Sequence, residues 1–315
     1  MSAAARSHGQ ARLGPTVGER AHRALASLNR GRLAPRLPHD ALAALHDETR
    51  AAELELGLLE AERAALTPTI ATVPTEPDAF VAWFEGLRER GPGQGDALFP
   101  WLAAEATAGE LGWFLHQEVA GEAGFEDLVA FAQLKQPARP KLEMARNYWD
   151  EMGQGHDKGM HGGMLEELAN ELGLAPRPED TVTPSLALGN LMLAMALHRS
   201  WAYHLVGALG AIELTAPTRV GHVHAALERL QLAPRGRKYF AVHATLDVRH
   251  SEAWNREVLR PLAALGPAVA RALAEGALIR LEAGRRCFER YRRELGFGGD
   301  TRPLAAWGPR PSGTS

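Results

Sequence analysis

Between residues 39 and 295 apolar positions recur at helical spacing, with little of the strict alternation that marks a half-buried strand. PHDALAALHDETRAAELELGLLEAERAAL, residues 38–66, predicts a long amphipathic helix opened by Pro38 and Asp40. EPDAFVAWFEGLRER, residues 76–90, predicts a second, broken by Gly91, Pro92, Gly93 and Gly95. A third is expected from about Ala108 to Gln133. Pro137 and Pro140 separate it from KLEMARNYWDEMGQGHDKGMHGGMLEELANELGL, where Gly153 and Gly155 disturb a straight helix. A nearly uninterrupted apolar helix is expected over 184–210, with Glu213 at or beyond its end, and further helices over 217–230, 236–262 and 267–295. The class predicted is all-α, with one domain over residues 39–295 between disordered tails at 1–38 and 296–315.

Composition narrows the function. The 315 residues are 45% hydrophobic, ample for a buried core, and their 35 basic and 38 acidic side chains give a net charge of -3. That balance offers no field to attract nucleic acid or an anionic membrane. A single cysteine, Cys287, excludes an internal disulfide, a CxxC redox pair and a thiolate metal cage. No apolar run is long enough to span a bilayer and the N-terminus lacks a hydrophobic signal core, so the expectation is a soluble cytoplasmic protein. Residues 1–38 hold seven arginines and one glutamate, read as part of a disordered tail rather than a transit peptide. There is no internal repeat of fixed period and no Gly-rich phosphate loop.

The chemistry starts at HATLDVRH, residues 243–250. Each helical residue turns about 100°, so His243, Asp247 and His250 fall within roughly 60° of one another on one side of a helix. Neutral imidazoles and carboxylates are the ligands that iron and zinc take in nitrogen- and oxygen-rich sites, and a two-metal site needs about six of them. The triplet alone is also what a solvated or hydrogen-bonded polar face looks like. Two further segments shift the balance. NYWDEMGQGHDKGMHGGM places Glu151 and His161 ten residues apart around glycines that let both side chains turn inward. Glu213 sits in the apolar stretch GALGAIELTAPT, where a carboxylate must be paired, hydrogen-bonded or metal-bound.

The ordered set Glu151, His161, Glu213, His243, Asp247 and His250, with NYWDEMGQG around the first, resembles the haem-oxygenase-like diiron oxidases, the iron-containing redox enzymes. The resemblance covers roughly residues 75–290. It implies a haem-oxygenase-like bundle of about seven core helices, here with extra N-terminal helices, holding two irons per chain without haem. It assigns one half-site to Glu151 and His161, a bridging or shared role to Glu213, and the remaining ligands to the late helix. Some members add a carboxylate from the first core helix; FLHQEVAGEAGFEDL offers Glu118, Glu122 and Glu126 within about 80° of one another, with Glu122 or Glu118 favoured. The implied activity is O2 activation to oxidise a small organic substrate, by amine N-oxygenation, oxidative decarboxylation or C–C cleavage.

The same residues argue against neighbouring readings. A ferritin-like site repeats Glu-x-x-His on two helices, and no such repeat occurs. A haem pocket with His116 as axial ligand gives no reason for acids beside the late histidines. Cys287 as a nucleophile sits in RLEAGRRCFERYRREL, which reads as a solvated last helix. The rival class is a metal-free helical binding or interaction protein, in which the histidines form a hydrogen-bonded core cluster. A manganese–iron or zinc site is a third variant of the same ligand set. The expected partners are O2, a small-molecule substrate and, since no electron-transfer motif is present, an external reductant or the substrate's own electrons; a homodimer is compatible with the composition. SLALGNLMLAMALHRSWAYHLVGALG, with Met192, Met195 and Trp201, reads as core or as the wall of an apolar pocket, and Arg199 and Arg146 as surface ion-pair partners or anchors for a substrate carboxylate.

Overall fold

The computed structural model describes residues 17–35, 37, 40–122, 124–232 and 234–296; within helices, the side chains at 17, 234, 235, 245, 247 and 248 are not described. Among the described residues the chain is helical without a β-strand. The first helices are α1 (Val17–Leu33), α2 (Ala41–Ile70), α3 (Pro77–Glu85), α4 (Leu87–Arg90) and α5 (Leu98–Ala104). They are followed by α6 (Ala108–Gly121), α7 (Phe125–Ala132), α8 (Ala138–Glu151), α9 (His161–Glu171) and α10 (Thr183–Leu197). The chain ends in α11 (Ala202–Arg229), α12 (Pro234–Trp254), α13 (Arg260–Ala263) and α14 (Pro267–Glu294). No helix among the described residues is long and apolar enough to cross a membrane.

Local chemistry sets several boundaries. The Asp40 carboxylate accepts from the Leu42 and Ala43 amides at 3.0 Å, capping α2. Thr107 and Glu110 form a reciprocal capping box at the start of α6. Elsewhere the structure departs from the sequence reading. The helix expected over 108–133 breaks after Gly121, where Glu122 turns to extended backbone and Gly124 takes φ +73°, so Glu118, Glu122 and Glu126 do not share one continuous helix. The apolar helix expected over 184–210 is interrupted at His198, which is extended, and by a 3₁₀ turn over Arg199–Trp201. Glu213 then lies in the middle of α11, which continues through Pro217. The segment 236–262 is α12, a π-turn over Asn255–Leu259, and α13. Residues 17–33, inside the expected N-terminal tail, form α1, whose Leu25 and Asn29 are buried.

The largest correction concerns α14. Its arginines and glutamates suggested a solvated helix, yet Ala270, Leu273, Ala277, Ile279, Cys287 and Tyr291 are all fully covered. The reason is a close crossing with α11. A Cβ on Gly207 would collide with the Leu273 backbone, and one on Gly276 with that of His204, so the two helices approach through paired glycines. Burial pushes the Cys287 thiol up to about 12, with the nearby Glu118 adding to the shift. It is therefore held as a thiol, unsuited to act as a thiolate nucleophile.

Two apolar clusters build the interior. One gathers Phe80, Phe84, Met144, Leu205, Leu214 and Trp254; the other gathers Leu98, Phe114, Leu168, Val223, Phe240 and Tyr291. Several helices pass from one cluster to the other. On α12 Phe240 belongs to one and Trp254 to the other, with His243 and His250 between them. On α11 the change falls between Leu214 and Val223, next to Glu213, and the α6–α7 break with its glutamates lies between Leu115 and Leu128. The polar residues singled out from sequence thus collect at the seam between two apolar halves.

Candidate metal centre

Glu151 ends α8 and His161 begins α9, and a nine-residue loop folds their ends together. Met152 and Met160 pair as an isolated antiparallel bridge across its neck. Gly153, Gln154 and Gly155 all carry positive φ, and a Cβ on Gly153 would run into the Gly159 backbone, which is why glycine stands there. The result is a His161 Nδ1 lying 2.8 Å from Glu151 Oε2, without the alignment of a hydrogen bond. Both side chains are buried. His243 arrives from α12 with its ring centroid 4.5 Å from that of His161. One potential ligand atom from each of Glu151, His161 and His243 lies within 4.8 Å of the others.

A second group adjoins the first. Glu213 Oε1 accepts from the Asn147 amide at 2.6 Å, and its Oε2 lies 3.6 Å from His250 Nδ1. The other ring nitrogen of His250, Nε2, is 3.1 Å from Asp150 Oδ2. Asn147, Asp150 and Glu151 share one face of α8 at helical spacing. Neither Asn147 nor Asp150 was singled out from sequence, although the triplet inside NYWDE carried that signal. Asp247 lies on the same helix as His243 and His250, but its side chain is outside the described residues.

These contacts assign tautomers. His243 Nδ1 lies 2.7 Å from the Tyr239 carbonyl, so it carries the proton and leaves Nε2 as a lone-pair donor. His250 gives its Nε2 proton to Asp150, leaving the Nδ1 lone pair on the Glu213 side. Burial, together with the neighbouring His161 and His250, lowers the His243 pKa to about 4, so the ring is neutral at physiological pH. Burial also raises the Glu151 carboxyl, with Glu213 adding repulsion while His161 and His250 oppose it. The donor set is therefore neutral imidazole and buried carboxylate, with lone pairs converging and too few cations to compensate them. That fits a transition-metal ion of the iron or zinc kind.

Glu151, Glu213 and His243 open onto a cavity of about 110 Å³. Glu118 and Glu122 stand on its α6 side, so the structure brings both to the cavity wall without including either in the Glu151–His161–His243 cluster. Glu118 accepts from the Tyr291 hydroxyl at 2.9 Å, and that hydroxyl also meets Ser185 Oγ at 2.8 Å. The Glu122 side chain is bonded to no described residue and is open to solvent, yet crowding by the surrounding protein, then repulsion from Glu126, Glu118 and Glu151 against the opposing charge of Arg280, pushes its pKa up to about 7. Glu126 faces a neighbouring cavity of about 210 Å³, which shares Glu122, Glu151 and Tyr239 with the first and also reaches His161. Met192 lines the first cavity, whereas Met195 and Trp201 are core. Arg146 pairs with Glu143, and Arg199 donates to the carbonyls of Phe131 and Leu134; the arginine that does reach the cavity is Arg280 of α14.

Three other histidines have partners outside the cluster. His116, the axial candidate for a haem, meets Asp180 at 3.3 Å; His198 meets Glu55 and His204 meets Glu275. No curated protein matches the chain. A sequence model of the iron-containing redox enzymes matches residues 112–285, more than half of its length and a span that includes every candidate ligand and Arg280. The architecture is that family's haem-oxygenase-like helical bundle, and the chain belongs to the iron-containing redox enzyme family.

Proposed function

We propose that the protein is a non-haem diiron oxidase or oxygenase, using O2 to oxidise a small organic substrate beside Glu151, His161, Glu213, His243 and His250. Family membership supports an iron-dependent redox activity, and the observation that carries the finer reading is the convergence of Glu151, His161 and His243 next to Glu213 and His250. Two adjacent groups of carboxylate and neutral imidazole suit two ions about 3.5 to 4 Å apart better than one. Asp247, on the same helix as His243 and His250, is read as joining them, and Glu122, whose side chain is bonded to no described residue, is a better candidate than Glu118, which accepts from Tyr291, for an added carboxylate.

Glu151, His161, Glu213, His243 and His250 would hold ferrous iron, which would supply the electrons for O2 reduction that the side chains cannot. The protein's part is orientation. Tyr239 and Asp150 fix which nitrogen of His243 and His250 faces inward, Asn147 holds Glu213, and the apolar wall of Leu188, Met192 and Ile212 keeps bulk water from the substrate.

The test is metal content by plasma emission on protein from iron-supplemented cells, with the His243→Ala/His250→Ala double variant alongside. The expected result is about two irons per chain, lost in the variant, with iron-dependent O2 consumption when substrate is supplied. Stoichiometric manganese with iron, or zinc, would redirect the chemistry. Folded protein free of metal in both samples would favour a metal-free binding protein instead.

A further inference from the structure

Beneath α1 lies a groove of about 470 Å³, walled by Ala26 and Leu33 of α1, Val119 and Ala120 of α6, Glu122 just beyond that helix, and Leu193 of α10. Glu122 also lines the cavity beside Glu151, Glu213 and His243, and it borders the neighbouring cavity that reaches His161, as Val119 does. One solvent-open side chain therefore adjoins all three spaces, and the wall between the groove and the inner cavities is the end of α6 with the break that follows it. The attachment of α1 differs in kind from the rest of the fold. None of its residues joins either apolar cluster, and among them only Leu25 and Asn29 are buried. Polar contacts hold it instead. Arg23 donates to the Pro178 carbonyl, Arg30 to that of Pro176 at 2.7 Å, Asn190 to that of His22 at 2.9 Å, and Arg32 pairs with Glu55 at 2.6 Å. The helix also lies outside residues 112–285, the span shared with the family. A segment with few buried apolar contacts opens at a lower free energy than the core it rests on.

We propose that this groove is the entrance to the metal cavity and that α1 is a lid on it, lifting as one unit to admit a metal ion and a small-molecule substrate. What is admitted rests on the diiron reading; the lid and the entrance are properties of the chain alone. With α1 in place, Ala26 and Leu33 narrow the approach to Val119 and Glu122. With α1 lifted, that approach is open, and the two apolar clusters stay intact because they contain no residue of α1. A helix that served only to cover α10 and α2, against which it packs, would have no effect on traffic to Glu151 and Glu213.

Access is read on the metal-free full chain by coupling Glu151 and Glu213 to glycine ethyl ester with a water-soluble carbodiimide, followed by peptide mass spectrometry. Lid motion is read by amide hydrogen exchange on the same protein. In wild type the amides of residues 17–33 should exchange at least about tenfold faster than those of α14. Arg23→Ala/Arg30→Ala removes two bonds to carbonyls and should speed both α1 exchange and the coupling by about tenfold or more, leaving α14 exchange unchanged. Ala120→Trp fills the groove without touching the attachments of α1 and should slow the coupling by a similar factor. Amides of α1 that exchange no faster than those of α14, an arginine variant that speeds α1 and α14 alike, or coupling that responds to neither variant would each overturn the proposal. The wild-type comparison and the arginine pair decide the point even where Ala120→Trp does not fold. In iron-loaded protein, release of iron to a chelator should change in the same directions while the iron content before chelation stays at the wild-type value. Coupling rates that shift as stated in protein that binds no iron would keep the entrance and remove the diiron reading; iron-loaded protein whose coupling and iron release follow neither variant would do the reverse.

Discussion

Two clusters in this molecule use the same residue types to opposite ends. Between α1, α2 and α10, Glu55 is fully buried and each of its oxygens has a donor: Arg32 at 2.6 Å on one, His198 at 2.8 Å on the other. At the seam of the bundle, Glu118, Glu122, Glu151 and Glu213 surround one cavity with a single guanidinium, which touches none of them. The first cluster is complete in itself, its charges matched within the protein. The second carries surplus negative charge and converging lone pairs, which burial makes unfavourable until a cation joins them. What separates a structural cluster from a functional one is the unmatched remainder, and both contain buried glutamate and histidine.

The sharpest way to break this comparison is to unbalance the finished cluster. Glu55→Ala leaves Arg32 and His198 without their shared acceptor, and removal of one partner of a buried ion pair costs about 3–5 kcal/mol. Denaturant titration should show a loss of that size, while the iron content of the folded fraction stays at the wild-type value. If Glu55→Ala instead released the metal and left stability unchanged, the roles assigned to the two clusters would be reversed.

A pH titration of metal-free protein probes the other cluster. The folded pKa of His243, about 4, lies below the ordinary value of 6.5, so between those limits the unfolded chain binds a proton that the folded chain refuses. The stability contributed by neutral His243 is then complete above about pH 6.5 and lost as pH falls towards 4, on the order of 3 kcal/mol across the window. Glu122 and Glu151, both raised, act with the opposite sign, weakening the fold as pH rises through their carboxyl range. The His243→Gln variant isolates the histidine: its stability should fall less than that of wild type between pH 6.5 and 4. Parallel curves would show that His243 is not held neutral by its surroundings.

Most helices were legible because their apolar spacing is a local property. The burial of Glu213 was readable too, since GALGAIELTAPT has no other charged residue to keep it at the surface. Its place in mid-helix was not, because α11 runs through Pro217, where the bond to the carbonyl of residue 213 cannot form and tertiary packing holds the helix regardless. The break at Gly124 was masked by good helix-forming spacing on both sides. Arg280 was beyond reach for another reason: the charges of α14 resemble a solvated face, and only the glycine-mediated crossing of α11 and α14 shows that this part of the helix faces inward. Which acids and bases end up unmatched is a property of three-dimensional neighbours.

Asp150 offers the finest test of the unmatched cluster, because it acts through another residue. Its carboxylate takes the Nε2 proton of His250 and so turns the Nδ1 lone pair toward Glu213. Asp150→Asn keeps the size of the side chain, and with 27% of it exposed, metal-free stability should stay within about 0.5 kcal/mol of wild type. The amide is a poorer acceptor and can present its NH2 to the ring instead, favouring the wrong tautomer. Loss of such a partner behind a ligating histidine weakens metal binding by about 10- to 100-fold. Competition of the Fe(II) protein against a chelator of known affinity measures this, and a drop in that range without a change in stability would place Asp150 behind the metal centre. An unchanged affinity would make its contact with His250 incidental and would move His250 from the ligand set to the hydrogen-bonded core.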